Sequence, residues 1–154
     1  MALYACDIEK NTKKSNSIKR NGSERRLGVS SLSKVIELQA EAWDKEVKRA
    51  EGPVVVDFWH NMCGWCLKLN PIFEQLPEQL QDAKYAKMDI LDSTENRNLA
   101  MEHGVMGTPT IKVFCEGRDI GEIVGFRTLD KLVNELKAIF ASREDCIAQS
   151  TPLE

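Results

Sequence analysis

The sequence predicts an α/β protein: a central mixed five-stranded sheet flanked by helices. Three observations predict it. β-branched and aromatic runs alternate along the chain with apolar residues three and four apart, the pattern of strands followed by helices. The run Val54–Trp59 is apolar on both faces, as a central parallel strand requires. The last two strand candidates are separated only by a short turn holding Glu116-Gly117, too short for a crossover. They must pair antiparallel, which makes the sheet mixed.

The elements follow in order. Val35, Ile36 and Leu38 form a short first strand. Ala42, Trp43 and Val47 then recur at helical spacing until Gly52-Pro53 ends the segment. Val54 to Trp59 is the second strand, with Asp57 inside it. Leu69, Ile72, Phe73, Leu76 and Leu80 describe an amphipathic helix that Pro71 and Pro77 should kink or end early. Tyr85–Ile90 is the third strand. Asp92 or Ser93 caps a helix over Glu95–His103, closed by Gly104. Thr110–Phe114 and Ile120–Val124 make the closing hairpin. Leu129, Leu132, Val133, Leu136, Ile139 and Phe140 give the terminal helix.

The chain has 154 residues, 42% apolar and 29% charged, which suits one soluble domain. Residues 1–32 carry seven basic and three acidic side chains, and their apolar residues follow no period. They are expected to be a flexible basic arm ahead of a domain over 33–142 and a tail over 143–154. The arm could meet an anionic surface or simply be solvated. With a sequence pI near 5.5, no nucleic-acid partner is expected for the domain. No apolar run approaches the ~20 residues a membrane helix needs. MALYACDIEK lacks the basic start and apolar core of a secretory leader, so a cytoplasmic location is expected.

Five cysteines are an odd set, and only Cys63 and Cys66 are close. That suits a reducing compartment with one special pair. In Cys63-Gly64-Trp65-Cys66 the two sulfurs can meet if the segment opens a helix. There the unpaired N–H groups and the positive end of the helix dipole favour a thiolate. Cys63 should attack and Cys66, one turn inside, should resolve. Half of a zinc site would look the same, but no second CxxC is present. Cys6, Cys115, Cys146, His60 and His103 have no zinc-knuckle spacing, so no metal is expected. The position after a buried strand and before an amphipathic helix favours redox chemistry. Cys115 should be a small buried apolar residue.

PVVVDFWHNMCGWCLKLNPIFEQL resembles the active-site segment of the thioredoxin family, and MGTPTIKVFCEGRDIGEIVGF resembles its cis-proline segment and closing hairpin. The similarity runs from about Lys34 to Ser142. It implies the thioredoxin fold and roles for individual residues. Asp57 matches the buried aspartate that moves protons to and from the resolving cysteine, and Lys87 the lysine beside it. A structural carboxylate and a plain surface lysine are the rival readings. Thr108 and Pro109 match the cis-proline site where a substrate strand docks, although a trans turn proline is the plainer reading. Trp59 matches the tryptophan packed beneath the active site, Gly125 a glycine of the substrate groove, and Pro71 the helix-kinking proline. With Gly64 and Trp65 these residues form the expected docking surface.

The departures are local. Gly-Trp replaces the family's usual Gly-Pro between the cysteines, and Met62 stands where a tryptophan is usual. His60, close to Cys63, could tune the thiolate or be a solvated loop residue. The expected activity is reduction of protein disulfides, with no cofactor beyond the cysteine pair and a separate disulfide reductase supplying electrons. The chain is expected to act as a monomer. A more oxidising oxidase or isomerase is the alternative. So is a non-catalytic adaptor, or a metal or iron–sulfur carrier.

Overall fold

The computed structural model describes residues 34–143 and Leu153. The expected arm over 1–32 and most of the expected tail lie outside them. The elements are β1 (Ile36–Glu37), β2 (Pro53–Trp59), α1 (Gly64–Phe73), α2 (Leu76–Gln79), β3 (Lys84–Asp89), α3 (Thr94–Glu102), β4 (Thr110–Cys115), β5 (Arg118–Val124) and α4 (Leu129–Ala141). One five-stranded sheet runs β1-β3-β2-β4-β5. β3 is parallel to both β1 and β2, while β2–β4 and β4–β5 are antiparallel.

β2 lies at the centre because its side chains are apolar on both faces. Val55 joins Leu69, Phe73, Leu76, Tyr85, Ile111, Leu132 and Leu136 beneath α1, α2 and α4. Val54, Val56 and Phe58 face the other way, onto Trp43, Met88, Ala100 and Phe114. Alternation along the strand therefore puts Asp57 on the Val55 face, the one that α1 covers.

Prolines divide the long apolar stretch, as their chemistry demands. Pro71 is accommodated inside α1, the helix ends at Phe73, and α2 restarts with Pro77 in its first turn. There the missing N–H would have been unpaired anyway. Ser93, not Asp92, caps α3: its oxygen accepts the Asn96 N–H at 3.0 Å.

Two local expectations change. β1 is only two residues long, although Leu38 N–H still donates to the Lys87 carbonyl at 2.8 Å. The Ala42–Val47 segment is a 3-10 turn (Ala40–Ala42) followed by a wide turn (Asp44–Lys48) rather than an α-helix. Asn96 secures this corner. Fully buried, it accepts from Ala40 N and donates to Gln39 Oε1 and the Asp89 carbonyl. Leu153 N donates to the Gly117 carbonyl at 2.7 Å, and its side chain packs against the Trp43 cluster. Among the described residues, no helix is long and apolar enough to cross a membrane.

Candidate active site

Cys63 is the N-cap of α1, and Cys66 is fully buried in its first turn. The two are joined as a disulfide, with Cα atoms 5.2 Å apart. The Cys66 N–H donates to Cys63 Sγ at 3.2 Å. This is the cap bond that a serine oxygen would make, transferred to sulfur, and in the reduced protein it stabilises negative charge on Cys63. Cys63 Sγ also lies 3.5 Å from the Thr108 carbonyl oxygen. Cys63 N–H donates to the His60 carbonyl, which fixes the turn entering the helix.

The Thr108-Pro109 peptide is cis. The Pro109 carbonyl accepts the Gly125 N–H at 2.9 Å, tying the start of β4 to the residue after β5. Gly125 has φ +86°, a conformation that side-chain-bearing residues rarely adopt. Trp65, Thr108, Pro109, Gly125 and Phe126 line an open groove of about 370 Å3 beside the disulfide. The Trp65 ring is more than half exposed, stands 5.6 Å from that of Phe126, and has the Lys68 ammonium 4.4 Å from its centre. Met62 and Met106 are exposed in the loops on either side, at 77% and 95%.

Phe126 is the groove residue that sequence reasoning missed. It is one aromatic in a loop, outside any periodic pattern. Trp59 and Gly64 do not line this groove. Trp59 ends β2 with its ring 5.7 Å from the Lys87 ammonium, and Gly64 begins α1.

Asp57 is completely buried, and neither carboxylate oxygen has a hydrogen-bond partner. Burial raises its pKa to about 7, against the pull of Lys87 and with help from the charge of Glu37. The alternative of a structural carboxylate bonded to backbone or to Lys87 does not describe this geometry. Lys87 is no surface lysine either: only 8% of it is exposed. Its ammonium donates to Glu74 Oε1 at 2.6 Å and lies 3.4 Å from Glu37 Oε1. Burial opposes its charge, but the Glu74 hydrogen bond and the Glu37 charge outweigh it and raise the lysine pKa. His60 is part-buried rather than solvated, with its Nδ1 enclosed and unpartnered. Cys115 is buried in β4. Among the described residues, no group of three or more His, Cys, Asp or Glu is placed to hold a metal.

The family profile described as thioredoxin matches residues 34–138. The chain is 33% identical to the chloroplastic F-type thioredoxin of Spinacia oleracea over 128 residues, 80% of this chain and 66% of that protein. It is 35% identical to thioredoxin of Rickettsia conorii over 94 residues, 60% of this chain and 87% of that one. It is 31% identical to human protein disulfide-isomerase A6 over 79% of this chain, but spans only 28% of that protein. The long-form crystal structure of thioredoxin F from spinach chloroplast matches with a TM-score of 0.63 at 33% identity, covering 70% of this chain and 88% of that one. A mutant thioredoxin from Halobacterium salinarum NRC-1 gives the same score and identity, over 73% and 96%.

Proposed function

The chain belongs to the thioredoxin family, and from that premise we propose that it is a thiol–disulfide oxidoreductase that reduces disulfides of proteins. The observation that carries this reading is the position of Cys63 Sγ. It sits at the start of α1, accepts the Cys66 N–H, and opens onto the groove at Thr108 and Pro109. An electron-rich sulfur beside a backbone segment that lines an open groove is what a docking disulfide-bearing strand needs.

The reaction runs in two exchanges. The Cys63 thiolate attacks one sulfur of the substrate disulfide, forms the mixed disulfide, and expels the other sulfur as a thiolate. Asp57 takes the proton of Cys66. The Cys66 thiolate then attacks Cys63 Sγ, closes the Cys63–Cys66 disulfide, and releases the second substrate sulfur, which is protonated. The substrate gains two electrons and the chain loses two. No further cofactor is required, because the cysteine pair holds both electrons. A separate disulfide reductase restores the dithiol. Trp65, Thr108, Pro109, Gly125 and Phe126 receive the substrate segment, and Trp59 packs beneath them. Lys87 stands in register with Asp57 on the neighbouring strand. We place the protein in the cytoplasm, acting as a monomer, since a single close cysteine pair suits a reducing compartment.

The similarity to a disulfide isomerase favours one second reading, an oxidase or isomerase with a less stable disulfide. A redox titration in dithiothreitol and glutathione buffers separates the two. Fluorescence of Trp59 and Trp65 reports it, with Cys66→Ser as control. A two-electron transition at low potential, lost in the variant, supports the reductase, and a high potential supports the second reading. Absence of a two-electron transition overturns both.

A further inference from the structure

Asp57, Lys87 and Glu37 form one row across three strands. Asp57 on β2 is in register with Lys87 on β3, and Lys87 is in register with Glu37 on β1. Parallel neighbours in register put their side chains on the same face, within reach of one another. The lysine therefore has a choice. Its ammonium could turn inward to the buried aspartate or outward to the sheet edge. It turns outward. It reaches Glu37 and a third carboxylate, Glu74, which caps the C-terminal end of α1 eight residues after Cys66. Glu74 donates nothing to the core and is half exposed, so its side chain is not there to fill space.

We propose that Glu74 is a positioning residue: together with Glu37 it holds the Lys87 ammonium away from Asp57, and so leaves the aspartate free to take and return the proton of the resolving cysteine. This rests on the exchange reaction proposed above. The physical reason is the strength of the alternative pair. An ammonium in direct contact with a buried carboxylate holds it ionised and depresses its proton affinity by about 1–3 pH units. A general base works best with an affinity near the working pH. The charged groups that bear on Asp57 are Lys87 from β3 and Glu37 from β1. β4 presents the uncharged Ile111 in register, and Glu74 acts from α1 through Lys87.

The test is a carboxyl carbon-13 NMR titration of Asp57 in the full reduced chain, run beside the pH profile of the resolving step. The proteins are the parent, Glu74→Gln, Glu37→Gln/Glu74→Gln, Lys87→Met, and Lys87→Met/Glu74→Gln. The Asp57 midpoint should fall by about one unit in Glu74→Gln and further in the double glutamine variant. Without Lys87, Glu74→Gln should move it much less, since Glu74 acts through the ammonium. The pH profile should shift to lower pH by the same amount as the midpoint. An unmoved midpoint in the double glutamine variant overturns the proposal, and so does an equal shift with and without Lys87. A midpoint that moves while the profile stays put upholds the clamp on Lys87, and overturns instead the proton role of Asp57 in the reaction.

Discussion

The Trp65 ring stands 5.6 Å from that of Phe126, at an interplanar angle of 40°. This contact joins the residue between the two cysteines to the loop after β5, and the pair forms one wall of the groove beside the disulfide. A large ring at this position therefore does more than alter the turn: it shapes the groove beside the disulfide.

Removing either ring should weaken docking. Truncating an aromatic at the centre of a docking surface costs about 1 kcal/mol or more, a factor of about five. Phe126→Ala and Trp65→Ala should each raise KM for a protein disulfide by that factor. Reduction of a small disulfide that does not fill the groove should change less. Equal losses on both substrates would remove the groove from the account.

The two cysteines should separate by role. Cys66→Ser should accumulate a mixed disulfide with substrate through Cys63, seen by intact mass spectrometry and reversed by dithiothreitol. Cys63→Ser should form none, because Cys66 is fully buried. An adduct on Cys66 in that variant would reverse the assignment.

Asp57→Asn should stabilise the fold, and the gain should depend on pH. In the folded chain the carboxyl has a pKa of about 7, against the ordinary 3.8. Between these values the unfolded chain has released a proton that the folded chain keeps, so the parent loses stability as pH rises through this window. The asparagine variant escapes that loss. Its advantage should be small at pH 4 and reach on the order of 4 kcal/mol by pH 8, read from urea unfolding. An equal gain at both values would point to packing instead. The same variant should slow the resolving step by about a hundredfold at neutral pH, the usual scale for a positioned base.

Gly117→Ala should destabilise the β4–β5 turn. Gly117 has φ +66°, and a Cβ there would lie 3.0 Å from the Lys48 carbonyl oxygen, a backbone atom that cannot rotate away. The left-handed backbone alone costs about 1–2 kcal/mol. Thermal unfolding should therefore shift down by several degrees. An unchanged transition would mean that the turn relaxes freely.

Much of the fold was legible in local patterns. The near-continuous apolar run Val54–Trp59 marks the central strand, and Pro77 marks where a second helix restarts after the first has ended. Cys63 and Cys66 declared themselves by spacing and by their place between a buried strand and a helix. The Ala42–Val47 segment misled, because apolar residues at helical spacing also fit the tight and wide turns found there. Asn96, Glu74 and Phe126 left no local signal. Each is an ordinary polar or loop residue until a distant element is packed against it.

The sequence by itself determined the order of the strands, the reactive cysteine pair at a helix start, and the burial of Asp57. These depend on side-chain period and on residues within one turn of each other. Only the tertiary structure decided that Lys87 bonds Glu74 and not its neighbour Asp57, that both oxygens of Asp57 stay unpartnered, and that Phe126 closes the groove against Trp65. Each of those outcomes is a choice among partners far apart in the chain. Distances of a few ångströms decide such choices, and they exist only once the sheet and its covering helices have packed.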